Sequence, residues 1–385
     1  MARILFTAPP LTGHINPALA VAQRLTARGH EVAWAVHADQ TNEILPPGTT
    51  VHALGEATSG NAEAASARGL ESVRLFFEDY ALPMAKSVLA PMEAIARDFR
   101  PAVMVVDHQM IGGALVARKL DIPWVTLVTT TASILKMPPM LDGWLVEQFR
   151  VLQKGYLPAE KLAARPDLSP DRVIVFSIET LVSQQRVDAP YLFVGPARGT
   201  GRRPVEFPWH WLKPEKKKLL VTLGTVSRDR DTRFFEVVME AVADLDLQAI
   251  LVAPETLAAC APANRLSANV LVRAYVPQLE LLDRVDGVVC HAGHNTVCEA
   301  LSRALPLIVA PIRDDQPWIA RQVIDAGAGI FMRHGKVTPA AARSAIQNLL
   351  GDPAYAASAR KLSVELQAAS GEEGAARVIE DLAAT

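Results

Sequence analysis

The chain has few cysteines and almost no net charge. Only three cysteines occur among 385 residues, Cys260, Cys290 and Cys298, and none forms a C-x-x-C pair. This usage predicts a reducing compartment and no structural zinc site. The formal net charge of -2 gives no general attraction to nucleic acid or to an anionic membrane. Small molecules are therefore the expected partners.

Long apolar runs are also missing. The opening MARILFTAPPLTGH has a short apolar run that prolines interrupt, which predicts neither a signal peptide nor a membrane span. We therefore expect a cytoplasmic monomer or homodimer that neither inserts into membranes nor binds nucleic acid. At 385 residues, of which 50% are hydrophobic, the chain is long enough for two domains of about 150 residues each.

Strands and helices alternate from the start of the chain. Ile4–Ala8 and Glu31–His37 have the apolar runs of buried strands. Between them, Asn16 and Pro17 predict the start of a helix, because Asn is a common N-cap and Pro is favoured at the first helical position. This βαβ order predicts a parallel sheet.

Two polar residues fall at strand ends in this half. His14 follows the first strand, and Asp107 ends the apolar run Ala102–Asp107. Ligands bind at that edge of open α/β sheets. Taken singly, His14 could be a structural histidine and Asp107 a turn residue. Together they match a general base and its partner, because an imidazole can accept a proton from an alcohol or phenol while a carboxylate orients the ring.

The chain divides at a stretch rich in proline and glycine, Gly195–Pro214, which predicts a linker. We place a first domain at 1–198, the linker at 199–214, a second domain at 215–365 and a terminal helix at 366–385. Strands alternate with helices in the second domain as well, so a second doubly wound sheet is expected.

The richest segment of the second domain is a strand, turn and helix around GVVCHAGHNT. The strand Gly287–His291 is followed by a glycine turn and by a helical pattern from His294 to Arg303. The polar residues at this turn are His291, Gly293, His294, Asn295 and Thr296. A helix N-terminus offers unpaired N–H groups and a positive dipole, so it suits a diphosphate. The same residues could also be a helix cap alone.

Acidic and amide side chains near this turn could accept hydrogen bonds from the hydroxyl groups of a ligand. Glu299 lies one turn into the helix, where a carboxylate could accept hydrogen bonds from a ribose, and the pair Asp315 and Gln316 suits sugar hydroxyls. The strings Asp229–Asp231 and Asp244–Asp246 could suggest a divalent metal, but each borders a helix, so capping is the preferred interpretation. We predict no metal site.

A stretch rich in Met, Pro and Trp lies between the predicted strands of the first domain. Ser133–Tyr156 reads as irregular, and its apolar content would suit a loose hydrophobic pocket. Met137, Met140 and Trp144 are its candidate ligand-binding residues.

Two stretches carry a family resemblance. YVPQLELL…HAGHNTVCEALSRALPLIVAPIRDDQP resembles the nucleotide-sugar signature of family 1 glycosyltransferases, which include plant secondary-product and bacterial macrolide enzymes, and LTGHINPALAVAQRLTARGHEV resembles their acceptor-side start. The resemblance implies a GT-B fold: two Rossmann-like, doubly wound parallel-sheet domains that face a cleft, with a C-terminal helix that crosses back to the first domain.

The resemblance also implies residue roles. His14 would be the general base and Asp107 its partner. The implied donor-binding residues are Thr225, Tyr275, Gln278, His291, Gly293, His294, Asn295, Thr296, Glu299, Asp315 and Gln316. Tyr275 and His294 stand where plant members usually have Trp. Tyrosine still offers a face on which a base can stack, but this departure leaves uridine and thymidine both open.

The implied activity is an inverting, metal-independent transfer in natural-product or antibiotic biosynthesis. A hexose or deoxyhexose would move from a UDP- or dTDP-sugar to a hydroxyl of a small hydrophobic acceptor such as a polyketide, macrolide or phenol, with no cofactor beyond this co-substrate. Three alternatives are a lipid-linked cell-wall glycosyltransferase, a nucleotide-sugar 2-epimerase and a non-catalytic helper of the same fold. The acceptor, the donor and the attacking atom stay open.

Overall fold

A computed structural model of the chain describes residues 1–37, 44–56, 70–182, 185–198, 205–224, 232–254, 257 and 267–384. The chain forms two compact units, Met1–Thr200 with Ala369–Thr385, and Gly201–Ala368. The predicted donor residue Thr225 lies outside the described residues, as do Cys260 and Asp229–Asp231.

Unit 1 is built on a parallel sheet of seven strands. These are β1 Arg3–Thr7, β2 Glu31–Val36, β3 Thr50–Ala53, β4 Val103–Asp107, β5 Trp124–Val128, β6 Arg172–Val175 and β7 Tyr191–Phe193. Their order is β3-β2-β1-β4-β5-β6-β7. The central strands β4 and β5 are buried at every residue, which explains their unbroken apolar sequences, because helices cover both faces of such a sheet.

The helices of unit 1 cover its sheet on two sides. The first five are α1 Thr12–Ala27, α2 Leu70–Leu75, α3 Leu82–Phe99, α4 Ile111–Leu120 and α5 Pro139–Gln153. A π-helical segment, Phe76–Ala81, joins α2 to α3. Short 3-10 turns lie at Thr131–Ile134, Ala159–Lys161 and Glu179–Leu181. One core contains the buried face of α1, and a second contains those of α3 and α4.

Two of these helices differ from the sequence-based prediction. α1 begins at Thr12 rather than at Asn16, because the carbonyl of Leu11 accepts hydrogen bonds from the N–H groups of His14 and Ile15 at 2.9 and 3.0 Å. His14 therefore lies in the first helical turn. The prediction that Ser133–Tyr156 is irregular was wrong, since most of it forms α5, whose Leu145, Phe149 and Leu152 are buried.

Unit 2 repeats the design with six parallel strands. These are β8 Lys217–Thr222, β9 Leu247–Val252, β10 Val270–Arg273, β11 Gly287–Cys290, β12 Leu307–Val309 and β13 Gly329–Phe331, in the order β10-β9-β8-β11-β12-β13. Its helices are α6 Thr232–Val242, α7 Gln278–Leu282, α8 His294–Leu301, α9 Gln316–Asp325, α10 Pro339–Gly351 and α11 Pro353–Ala368, with 3-10 turns at Trp209–Trp211 and His334–Lys336. Two Rossmann-like domains were predicted, and this is confirmed.

The last helix, α12 Gly371–Ala383, returns to unit 1. Its Ala375, Ala376 and Ile379 are buried in the same core as the apolar face of α1. Ion pairs reinforce the contact, including Arg24 with Glu372 at 3.3 Å. No helix within the described ranges is long and apolar enough to cross a membrane.

Each sheet reverses its winding direction at one place. In unit 1 the chain moves from β1 outward to β3 and then returns to place β4 on the other side of β1, and in unit 2 β8 and β11 have the same relation. Open α/β sheets bind ligands at the carboxyl ends of the strands at such switch points. The topology therefore predicts ligand-binding residues at the carboxyl ends of β1, β4, β8 and β11.

A close helix contact beside the unit 1 switch point gives a stability prediction. Gly112 of α4 faces α3, and a Cβ there would lie 2.6 Å from the carbonyl oxygen of Ala85 and would also collide with Val88. We expect Gly112→Ala to lower the free energy of unfolding by about 1–3 kcal/mol because α3 and α4 must separate, which thermal denaturation would measure.

Gly143→Ala is the matched control, because nothing lies within 4 Å of a Cβ added there in α5. That change should stabilise the protein by about 0.5–1 kcal/mol through helix propensity. Equal melting temperatures for the two variants would contradict the close contact.

Candidate active site

The unit 1 switch point holds a hydrogen-bonded cluster of His14, Asp107 and Thr129. Nδ1 of His14 lies 3.1 and 3.0 Å from Oδ1 and Oδ2 of Asp107. The hydroxyl of Thr129 donates to Oδ2 of Asp107 at 2.9 Å and lies 2.8 Å from His14 Nδ1. The backbone N–H of Gln109 donates to Oδ1 at 2.9 Å. The structure therefore brings the two predicted residues of unit 1 together.

Asp107 is only 1% exposed, yet it is ionised. Burial raises the pKa of this carboxyl group, but the electrostatic interactions with His14 and His108 and the hydrogen bonds from His14 and Gln109 outweigh that effect and hold the pKa below its ordinary value. A buried carboxylate requires such donors, because it cannot be solvated by water.

The ionised carboxylate determines the tautomer of His14. Because Asp107 can only accept hydrogen bonds, Nδ1 of His14 carries the proton and Nε2 carries the lone pair. The side chain of His14 is 12% exposed. This arrangement provides a base whose ring is fixed by a carboxylate, which can also stabilise the imidazolium formed on proton transfer.

Two further titratable groups border this cluster. The ring of His108 lies 5.4 Å from that of His14 at an angle of 33°. Tyr80, from the π-helical segment, has its pKa raised to about 12 by burial and by the negative charge of Asp107. The phenol is therefore neutral in the physiological range.

Ligand atoms of His14, Asp107 and His108 lie within 4.8 Å of one another, a spacing that a metal ion could bridge. The chemistry of the donors fits poorly, however. Nδ1 of His14 is already hydrogen-bonded to Asp107, and Nδ1 of His108 lies 3.3 Å from the carbonyl oxygen of Leu127. A nitrogen that faces a carbonyl carries a proton and has no lone pair for a metal, so the pairing favours proton transfer.

The unit 2 switch point is formed by the turn that follows β11. Ala292 has a left-handed backbone with φ of 65°, and Gly293 is the N-cap of α8. Such a φ is strained in a residue with a Cβ. The turn leaves the first N–H groups of α8 without helical partners, as at any helix start.

Two glycines enclose the ring of His291. A Cβ on Gly224, which follows β8 with φ of 71°, would lie 2.6 Å from Cε1 of His291, and a Cβ on Gly293 would lie 2.6 Å from its Nε2. The imidazole therefore occupies the space between two backbone segments that approach closely only because both are glycine.

His291 is neutral at physiological pH. Its pKa is lowered to about 4, mainly by burial and also by the positive charges of His334 and Arg313, while Asp315 acts in the opposite direction. A neutral imidazole can donate one hydrogen bond but carries no charge. Any stabilisation of an anion here therefore comes from N–H groups and the dipole of α8.

Five more predicted residues of unit 2 lie outside this turn. The amide of Gln278 donates to Glu299 at 2.7 Å, so these two lie together. Gln316 accepts from the backbone N–H groups of residues 312 and 313 at 2.8 and 3.1 Å, which fixes the loop after β12. Asp315 is the N-cap residue of α9. Tyr275 is 58% exposed.

Three more predicted residues lie in the first turn of α8. His294 is buried, with Nε2 3.6 Å from Sγ of Cys298. Thr296 is also buried, and Asn295 is partly exposed. Their predicted roles in donor binding stay predictions.

The candidate acceptor residues lie at the start of α5. Met140 is 88% exposed, whereas Met137 and Trp144 are partly buried against an apolar cluster that includes Leu145 and Phe149. These assignments stay predictions as well.

Thr129, His108 and Gly224 complete the two sites and were not assigned roles from the sequence. Thr129 begins a run of three threonines directly after the apolar strand β5, and polar residues at that edge are a usable signal. His108 adjoins Asp107. Gly224 stands at a glycine turn after β8, but its contact with His291 is visible only in three dimensions.

Comparison with known proteins identifies the class. Residues 236–382 match the family described as erythromycin biosynthesis protein CIII-like, C-terminal domain. The chain is 27% identical over 390 residues to NDP-glycosyltransferase YjiC of Bacillus subtilis (strain 168), covering 96% of this chain and 95% of that protein. It is 28% identical over 405 residues to demethyllactenocin mycarosyltransferase of Streptomyces fradiae, covering 99% and 87%.

The fold agrees with these relatives. The glycosyltransferase of kitacinnamycin superimposes with a TM-score of 0.79 at 25% identity, covering 99% of both chains. The architecture is thus that of the GT-B glycosyltransferases, and the predicted fold and family resemblance are confirmed. More narrowly, the relatives that match along nearly the whole chain include glycosyltransferases of the macrolide and natural-product type.

The lowered pKa of His291 predicts a pH-dependent loss of stability. The folded-state pKa of about 4 lies below the ordinary value of 6.5, so the unfolded chain binds the proton more tightly. The contribution of neutral His291 is complete above about pH 6.5 and is lost as the pH falls towards about pH 4.

We expect wild-type protein to lose more stability than His291→Gln over this range in parallel thermal unfolding experiments. The comparison cancels the other titrating groups that the two proteins share. Wild-type and variant curves that stay parallel from pH 7 to pH 4 would contradict a depressed pKa.

Proposed function

We propose that the chain is an inverting transferase that moves a hexose or deoxyhexose from a UDP- or dTDP-sugar to a hydroxyl group of a small hydrophobic natural product. The observation that carries the proposal is the buried, ionised Asp107, which accepts from Nδ1 of His14 and leaves Nε2 as the basic atom. That arrangement supports deprotonation of an alcohol or phenol.

The proposed reaction is a single displacement. Nε2 of His14 accepts the proton of the acceptor hydroxyl as its oxygen forms a bond to the anomeric carbon. The bond from that carbon to the diphosphate oxygen breaks, and its electron pair leaves with the nucleoside diphosphate. Attack from the face opposite the leaving group inverts the configuration, and Asp107 stabilises the imidazolium.

We assign the donor to unit 2. The N-terminus of α8 offers N–H groups to the diphosphate, and the neutral ring of His291 fills the space beside them. Glu299, held by Gln278 at 2.7 Å, is our candidate for the ribose. Tyr275 would stack on the base, and Asp315 with Gln316 would contact the sugar. The step as written uses no metal and no cofactor beyond the nucleotide sugar.

The acceptor is assigned to unit 1 on the chemistry of its surface. The exposed Met140 and the partly buried Met137 and Trp144 give the start of α5 an apolar character, which supports a hydrophobic scaffold such as a polyketide, macrolide or phenol. The intact dyad also favours an enzyme over a non-catalytic helper.

Removal of the base should abolish turnover but not donor binding. We expect His14→Ala to lower kcat by about 10²–10⁴-fold, measured with UDP-glucose and dTDP-glucose against a panel of phenols and macrolides that includes 4-methylumbelliferone. The rise in melting temperature caused by UDP or dTDP should stay at its wild-type value.

His210→Ala is the matched control, because His210 is an exposed histidine of unit 2, and it should keep wild-type turnover. Undiminished turnover in His14→Ala would contradict the assignment of the base. Consumption of the donor without acceptor, with a changed sugar as product, would instead support the epimerase alternative. The anomeric configuration of the product, read from its proton coupling constant, tests inversion.

Donor affinity should depend on the space around His291. A Cβ on Gly293 would lie 2.6 Å from Nε2 of His291, so Gly293→Ala must displace the ring or the turn. We expect the affinity for UDP or dTDP to fall at least about tenfold, equivalent to about 1.4 kcal/mol, as measured by calorimetry.

Gly351→Ala serves as the control, because nothing lies within 4 Å of a Cβ added there, and it should bind as the wild type does. Equal affinity in Gly293→Ala and Gly351→Ala would contradict a diphosphate site at this turn. A wild-type protein that binds neither nucleotide would contradict the donor assignment as a whole.

A further inference from the structure

His108 is held in one orientation beside the proposed dyad. Its backbone N–H donates to the carbonyl oxygen of Leu127 at 3.0 Å, and its Nδ1 lies 3.3 Å from the same oxygen. Because a carbonyl oxygen can only accept, Nδ1 carries a proton. The tautomer of His108 is therefore fixed by β5, the strand next to its own.

The side-chain Nδ1–H of His108 also lies near the carboxylate of Asp107. Nδ1 of His108 lies 3.5 Å from Oδ1 of Asp107, the oxygen that lies 3.1 Å from His14 Nδ1 and accepts from the N–H of Gln109. The carbonyl of Leu127 already has the backbone N–H of His108 as a donor. The side-chain N–H is hydrogen-bonded to Leu127, and at 3.5 Å from Oδ1 it acts on Asp107 through its partial positive charge. That charge lies on the side of the carboxylate away from Thr129, which donates to Oδ2.

The charges around His108 favour a neutral ring. The residue is 6% exposed, and burial lowers its pKa, an effect that the positive charge of His14 reinforces and that the negative charges of Asp107 and Asp167 oppose. Tyr80 faces the same carboxylate and is itself neutral. A neutral His108 therefore contributes a dipole and a hydrogen-bond donor without adding a charge that would compete with an imidazolium at His14.

We propose that His108 is a positioning residue of the transfer reaction, which fixes Asp107 through its Nδ1–H and limits the tilt of the His14 ring against which it lies. The inference rests on the proposed role of His14 as the base. An apolar side chain could fill the same volume, but it would remove the partial positive charge that lies 3.5 Å from Oδ1 of Asp107. The carboxylate would then be free to turn and would attract the proton of an imidazolium more strongly.

A matched pair of variants separates the effect of the N–H group of His108 from the effect of its side-chain volume. His108→Asn retains an amide N–H near the position of Nδ1, whereas His108→Leu fills space without a donor. His108→Phe, which keeps a ring but no N–H, replaces the leucine variant if that protein does not fold.

The first measurement is nuclear magnetic resonance of protein labelled with 15N-histidine, with the signals of His14 and His108 assigned from their loss in His14→Ala and His108→Asn. Wild-type His108 should show a neutral ring with the proton on Nδ1. In His108→Leu the titration midpoint of His14 should rise by about half a pH unit, because a carboxylate without the neighbouring N–H dipole stabilises the imidazolium more. In His108→Asn it should stay close to the wild-type value.

The second measurement is the pH profile of turnover with the donors and phenols used for His14→Ala. We expect His108→Leu to lower kcat by about tenfold through misplacement of the base, with its acid limb moved to higher pH and the KM for the donor unchanged. His108→Asn should recover most of the lost kcat.

The outcomes separate this inference from the proposed function. If His14→Ala is inactive while His108→Leu keeps wild-type kcat and pH profile, His108 has no positioning role and the base assignment stands. Active His14→Ala overturns both. Equal loss of activity and of melting temperature in the two His108 variants, with no shift in the His14 titration, would assign His108 a packing role only. A proton on Nε2 of wild-type His108 would also overturn the inference.

Discussion

The site of unit 1 depends on the burial of one ionised carboxylate. An isolated carboxylate in a protein interior costs many kcal/mol, and it stays charged only where donors replace water. Asp107 receives donors from α1, from the backbone after β4 and from the residue after β5. Because each donor comes from a different element, the orientation of His14 depends on the whole sheet edge.

The candidate site of unit 2 lies at the same edge of its sheet, but its histidine has a different electrostatic environment. The ring of this histidine is confined by two glycines, and it is neutral because desolvation and, to a smaller degree, nearby positive charges keep it unprotonated. Asp107 holds a protonated nitrogen in unit 1, whereas backbone N–H groups and a dipole dominate in unit 2. Two similar Rossmann-like scaffolds thus surround their imidazoles with different groups, which suit proton abstraction in the first and anion binding in the second under the function proposed above.

The sequence predicted local geometry well where a segment is contiguous. The turn from His291 to Thr296 follows one strand and begins one helix, so local pattern and capping preferences were sufficient. The proximity of His14 and Asp107 was predicted because each lies at the carboxyl end of an apolar strand. Thr129 was missed, since its contact with Asp107 requires β5 to lie beside β4 in the register that pairs Asp107 with Leu127. The start of α1 was misplaced because hydrogen bonds to the carbonyl of Leu11 begin the helix before Asn16. The helix α5 was missed because the burial of its Leu145, Phe149 and Leu152, rather than local propensity, stabilises it.

This difference between contiguous segments and packed side chains explains why the binding site of a nucleotide sugar is easier to infer from sequence than that of the sugar acceptor. A diphosphate is recognised by backbone groups at a helix start, so its site needs glycines at fixed places, and those are visible in a sequence. An apolar acceptor is recognised by side chains whose exposure depends on packing. Met140 and Leu145 lie in one helix, yet the first is 88% exposed and the second is 2% exposed. Periodicity alone does not reveal which of two such residues meets a ligand, so the determinants of acceptor choice must be sought among residues that the fold leaves exposed, starting with the first turn of α5.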